Sequence, residues 1–181
     1  MHTIGPGEQV PFWPKWMLTK IDSLVAEENP KAPASLYNAP LHRIKQGVNR
    51  LRGTPDLKLE AHGDFHGNNL LIGGDKTYGV DFTELTRKLA VYDIVDLIKM
   101  DFRLDHDAGN IGPSGLSRDT EASFFSAYHH AINREVFEFC MQAHLLISWL
   151  TVSVEAYERS ANKRAKYHRL ERRLGAADLM G

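Results

Sequence analysis

The chain has 181 residues, 43% of them hydrophobic and 25% charged, with a formal net charge of −1. That is enough length for one domain with a real core, and the near-neutral balance gives no general pull toward nucleic acid or an acidic membrane surface. A lone cysteine, Cys140, excludes an internal disulfide, and the opening Met1-His2-Thr3-Ile4-Gly5-Pro6-Gly7 has no basic-then-apolar signal pattern. The expected setting is therefore cytoplasmic, with no nucleic acid and no membrane as partner.

Prolines at 6, 11 and 14 make residues 1–14 read as an irregular arm. A helix is expected over Lys15–Glu28, where Trp16, Leu18, Ile21, Leu24 and Val25 recur at helical spacing until Asn29-Pro30 stops it. A second is expected over Ala39–Arg52, on Leu41, Ile44, Val48 and Leu51, with Gly53 as its end. Leu57–Ala61 is a strand candidate that delivers the chain to His62. Asn69–Ile72 and Thr77–Asp81 are two more, joined by the turn residues Gly73-Gly74-Asp75-Lys76. Val91, Ile94, Val95, Ile98 and Phe102 form one face of a helix over Val91–Arg103, with Asp93, Asp96 and Arg103 on its polar side. Asp105–Ser117 reads as a loop.

The remainder is helical, over Arg118–Ile132, Arg134–Arg159 and Ala161–Leu174. Phe124, Phe125, Tyr128 and Ile132 have the spacing of a core face, and His129-His130 straddle a helix surface. Val136–Val154 has the length of a membrane span. It contains Glu138, Gln142, His144 and Ser148, which hydrocarbon would penalise, so it reads as a core helix. The basic stretch Arg159–Arg173 is flanked by Glu158 and Glu171 and reads as a solvated helix. The architecture is α+β and mostly helical.

The chemistry concentrates in His62-Gly63-Asp64-Phe65-His66-Gly67-Asn68-Asn69, followed by Asp81. An Asp on a loop, an Asn five residues later and an Asp beyond a hairpin are the parts that hold a hydroxyl nucleophile and magnesium against a transferring phosphoryl group. Pairing Ile72 with Tyr78 would set Asn69 opposite Asp81, with Cβ atoms about 5 Å apart, where an amide oxygen and a carboxylate can share one hard cation. A slip of one residue would part them.

These residues resemble the catalytic core of the aminoglycoside phosphotransferase and choline kinase-like family, relatives of protein kinases. The family's His-Gly-Asp-x4-Asn loop matches His62, Gly63, Asp64 and Asn69; its metal-binding Asp matches Asp81, and its aromatic-Asp-aliphatic element matches Tyr92-Asp93-Ile94. The resemblance runs from about Leu57 to Ile98. It implies the C-terminal lobe of a protein kinase-like fold, with Mg²⁺ and ATP as cofactors and a small hydroxylated molecule as acceptor. Asp64 would be the catalytic residue, orienting the acceptor hydroxyl and taking its proton; Asn69 and Asp81 would hold the metal. His62 would tie the loop to the metal-binding segment, Asp93 would support the loop backbone, and His66 would contact phosphate.

Two departures stand out. Phe82-Thr83 replaces the family's x-Gly after the metal-binding Asp, and Glu84 follows as a surface acid. Only 61 residues precede His62, and they show no Gly-rich strand-turn and no strand lysine, so the nucleotide-binding lobe is expected to be absent. A homodimer or a separate chain would then supply it, and the isolated chain would show no turnover. Two other readings stand beside this one. The first is a non-catalytic scaffold that keeps the fold. The second is a metal-dependent hydrolase built on His62, Asp64 and His66, with Asp105-His106-Asp107.

Overall fold

A computed structural model describes residues 6–26, 30–82, 85–99 and 108–177. The architecture is α+β and mostly helical. Its elements in order are β1 (Glu8–Pro11), α1 (Lys15–Ala26), α2 (Ala34–Leu51), β2 (Pro55–Ala61), β3 (Leu70–Gly73), β4 (Lys76–Gly79), β5 (Thr86–Leu89), α3 (Ala90–Ile98), α4 (Arg118–Ala127), α5 (Arg134–Leu150), α6 (Val154–Arg159) and α7 (Ala161–Ala176).

The core is organised around α5. Phe137, Phe139, Cys140, Met141, Ala143 and Leu146 are wholly buried, and the helix packs against α1, α2, α3 and α7. A side chain such as Phe139 contributes ~1.5–3 kcal/mol by leaving water. Buried residues occur all around the helix, which is why its sequence looks long enough to span a membrane. No helix among the described residues is long and apolar enough to do so. The Arg134–Arg159 stretch is not one helix. It breaks after Leu150, where the Val152 carbonyl accepts from Lys31 N–H (2.8 Å), and Ser153 restarts the chain by capping Ala156 N–H (3.1 Å).

The expected irregular arm contains β1. This strand pairs antiparallel with β2 (Glu8↔Lys58 to Pro11↔Pro55), and β2 pairs antiparallel with β5 (Lys58↔Leu89 to Ala61↔Thr86). Glu8 is 3.4 Å from both Lys58 and Arg87, and those cations hold its carboxyl below the usual range. Neither β1 nor β5 was expected. Each is four residues long and has too few apolar side chains to show a period.

Helix α2 starts at Ala34 and carries Pro40 inside it. Gly53, with φ +82, follows its end as the spacing implied. Helix α4 stops at Ala127, so Tyr128, His129, His130 and Ile132 lie beyond it. The expected extensions through Glu28 and Arg103 fall outside the described residues, as do Asp105-His106-Asp107, Thr83 and Glu84.

At Gly47 on α2, a Cβ would lie 2.7 Å from Phe139 Cδ2. The two helices meet there through a bare backbone, and Phe139, wholly buried, has little room to give. Gly47→Ala is therefore expected to destabilise by about 1–3 kcal/mol through overpacking, measured as a lower midpoint in denaturant at unchanged slope.

His144, on the α3-facing side of α5, stacks edge-on against Trp16 (5.5 Å) and lies 3.9 Å from Asp96. Burial dominates and the Lys99 charge adds to it, while Asp96 opposes them, so its pKa falls to about 4. In the unfolded chain the ring takes a proton near pH 6.5. The unfolded state thus binds more protons between about pH 6.5 and 4, and stability falls as pH drops through that window. Replacing His144 with Gln should flatten that part of the stability–pH curve, measured by urea unfolding across the range.

Candidate active site

Strand β2 carries buried Leu59 and Ala61 under α3, and this brings His62 to a wholly buried position. Gly63 follows at φ +94, a turn that glycine makes without strain and that takes Asp64 out to the surface. Asp93 sits in the first turn of α3 with no solvent exposure. Its Oδ2 accepts His62 N–H at 2.5 Å and its Oδ1 accepts Gly63 N–H at 3.1 Å. Lys88 Nζ, from β5, lies 3.0 Å from Asp93 Oδ1 and donates to the Gly63 carbonyl at 2.9 Å. A buried carboxylate persists only when its charge and lone pairs are met, and the loop backbone, the lysine and the helix N-terminus meet these. Asp93 does not share the solvent-facing side of its helix.

His62 Nε2 is 2.7 Å from the Val80 carbonyl. A carbonyl only accepts, so Nε2 carries the proton and donates. The ring lies between Phe65 (centroids 5.5 Å) and Phe82 (4.8 Å). Val80 N–H in turn donates to the Asn69 carbonyl at 3.0 Å. Both ends of Val80 are therefore tied to the His62–Asn69 loop, and the next residue is Asp81.

The hairpin register differs from expectation by one residue. Leu70 pairs with Gly79, Leu71 with Tyr78, Ile72 with Thr77 and Gly73 with Lys76. The connection is the two-residue turn Gly74-Asp75, with Gly74 at φ +60, and such turns match the twist of a β-ribbon better than the longer one assumed. Asn69 therefore does not pair with Asp81 across the ladder. It ends a 3₁₀ turn (Gly67–Asn69), and Asp81 lies past the end of β4 at φ +61, a left-handed conformation that Asp adopts more readily than most residues. That φ turns the chain at Asp81 away from the alternation on which the slip argument relied.

Asn69 is nearly buried, and its Nδ2 donates to the Asp64 carbonyl at 2.8 Å, leaving Oδ1 as the amide's acceptor for a cation. Asp64 is exposed, and its Oδ2 lies 3.3 Å from His66 Nε2. Direct contacts thus link Asp64 with Asn69 and His66, His62 with the residue before Asp81, and Asp93 with His62 and Gly63. No group of three or more His, Cys, Asp or Glu among the described residues is arranged to hold a metal, and His62 Nε2 is already engaged with Val80. The His62/Asp64/His66 set expected of a hydrolase is thus not gathered as a metal cluster among the described residues, and Asp105-His106-Asp107 lie outside them.

Sequence reading missed Lys88 and the two phenylalanines about His62. A lysine inside Thr86-Arg87-Lys88-Leu89 carries no periodic signal, and only its proximity to Asp93 in sequence hinted at a charge partner. His62→Phe would keep a flat ring but strand the Val80 carbonyl. A loss of about 1–3 kcal/mol is expected, measured as a fall of a few degrees in the thermal midpoint.

A family model described as "Phosphotransferase enzyme family" matches residues 1–131. No curated protein sequence matches the chain. Among solved structures, one titled "Glucosamine kinase (crystal form B)" is 19% identical with a TM-score of 0.40, covering 92% of this chain and 40% of that one. A second, titled "Glucosamine kinase (crystal form A)", is 18% identical with a TM-score of 0.40, covering 92% and 41%. The chain spans about two fifths of the length of these structures.

Proposed function

The chain belongs to the phosphotransferase enzyme family and has a kinase-like lobe, and we propose that it forms the acceptor and metal-binding side of a kinase. That kinase would move the ATP γ-phosphoryl group to a hydroxyl of a small molecule. The observation that carries this reading is the bracing of one loop at both ends. Asp93 grips the backbone of His62 and Gly63, while His62 and Asn69 hold Val80, the neighbour of Asp81.

In this reading Asp64 accepts a hydrogen bond from the acceptor hydroxyl and takes its proton as the new O–P bond forms and the bond to the leaving ADP oxygen breaks. His66, within reach of the same carboxylate, orients Asp64; that pairing favours this role over a direct phosphate contact. Asn69 Oδ1 and the Asp81 carboxylate are hard oxygen donors of the kind Mg²⁺ takes, and they are the groups that would hold it. Bound there, Mg²⁺ would neutralise phosphate charge. Leu71, Ile72 and Tyr78 are more than half exposed on the hairpin. They offer an apolar floor to a nucleotide or to a lobe outside these residues, on a partner copy or a separate chain. A cytoplasmic setting, where ATP is abundant and Cys140 stays reduced, belongs to this proposal.

Thermal unfolding with Mg-ATP tests it. At ten times its Kd, a ligand of the native state adds roughly 1.4 kcal/mol, about 3–5 °C for a chain of this size. The shift should appear with wild type and vanish with Asp81→Ala and Asn69→Ala. Absence of any shift for wild type at 10 mM Mg-ATP, about ten times the upper end of ordinary KM values, would overturn the proposal and favour a non-catalytic scaffold.

A further inference from the structure

We infer that Lys88 is a positioning residue that sets the direction of Asp64, by clamping the peptide unit between Gly63 and Asp64. This rests on the phosphotransferase reading for its purpose, although the clamp itself is a matter of contacts. The Gly63 carbonyl and the Asp64 N–H belong to one rigid plane, because the peptide bond does not rotate. Lys88 Nζ donates to that carbonyl at 2.9 Å. The preceding peptide is held on its other side, since the Gly63 N–H donates to Asp93 Oδ1 at 3.1 Å. Gly63 at φ +94 is the one joint between these two planes, and a glycine joint left alone would sample many angles. Asp93 fixes one plane, Lys88 fixes the other, and the Lys88–Asp93 ion pair at 3.0 Å locks the two fixtures together.

The fold gives Lys88 this reach. In the β2–β5 register Lys88 lies opposite Leu59, and its neighbours Arg87 and Leu89 fall on the opposite face of the strand. Arg87 points to Glu8 and solvent, whereas the Lys88 side chain is 21% exposed against the wholly buried Asp93. An exposed ion pair of this type is worth little, but one with a desolvated partner depends strongly on geometry. The lysine thus neutralises the buried carboxylate and orients the backbone at once, using two of its three donors.

The test uses amide hydrogen exchange and ¹H–¹⁵N spectra of the full chain, with no need for turnover. Lys88→Met keeps the length and removes both the charge and the donor. It should speed exchange at the His62 and Gly63 amides by tenfold or more and displace the Asp64 amide resonance, whose own peptide carbonyl loses its donor. Amides in α5 should keep their wild-type rates. Lys88→Arg, which keeps a cationic donor, should restore most of the protection. Asp93→Asn should have a similar local effect, and the double variant should add little to either single change. Rates at His62 and Gly63 within twofold of wild type in Lys88→Met would overturn the inference. So would acceleration spread equally into α5, which would mark a general loss of stability. If Lys88→Met does not fold, Lys88→Gln is read by the same criteria. A local effect in a protein whose midpoint ignores Mg-ATP would leave the clamp standing and remove the phosphotransferase reading; a Mg-ATP shift with no local effect would do the reverse.

Discussion

The buried carboxylate of Asp93 is the constraint around which the candidate site is arranged. A charge with no water around it must find donors, and the donors nearest the first turn of α3 are the amides of His62 and Gly63. Satisfying Asp93 therefore requires that the end of β2 meet the start of α3 in one particular way. That meeting drives the chain through a left-handed glycine and delivers Asp64 to the surface. From there the constraint passes along the backbone. Asn69 reaches back to Asp64, and Val80 is bonded to both His62 and Asn69, so the surroundings of Asp64 and Asp81 are fixed by the same short set of contacts.

This arrangement needs a stiff platform, and the helices provide it. Helix α5 presents an apolar surface on every side and is wrapped by α1, α2, α3 and α7. The Asp56 carboxylate in β2 accepts the N–H of Asn133, which caps α5, so the strand leading to His62 is pinned to the core helix as well as to its sheet. Interiors packed at this density transmit small displacements instead of absorbing them. The loop's geometry is thereby referred to the body of the protein.

Much of this was legible in the residues. The His62–Asn69 run, the hairpin and the helix beginning near Asp93 follow from residue type and spacing, since each element there carries its own apolar period or turn residues. The one-residue error in hairpin register came from placing Thr77 in the turn along with Gly73–Lys76, which set Ile72 against Tyr78 in place of Thr77. A two-residue turn with glycine at positive φ fits the ribbon better, and the sequence Gly73-Gly74-Asp75-Lys76 does not by itself choose between the two. Strands β1 and β5 were illegible for a different reason. Glu8-Gln9-Val10-Pro11 and Thr86-Arg87-Lys88-Leu89 are stabilised by pairing with β2 and by cross-strand charges, which are long-range facts. The same holds for Lys88, whose partners lie on two other elements.

The helical stretch from Asn133 onward has a bearing on how the chain can be divided. The family match ends at residue 131, two positions before the cap of α5. Yet Met17 and Ile21 of α1, Ile44 and Leu51 of α2, and Val91, Ile94 and Val95 of α3 are buried in the cluster that α5 and α7 complete. Arg173 near the C-terminal end also bonds the carbonyls of Lys99, just past α3, and Gly115. An excised piece ending where the recognisable motifs end would therefore keep every candidate catalytic side chain while leaving three greasy helix faces in water. The part of the polypeptide that looks least like a phosphotransferase is what makes the rest of it a folded object.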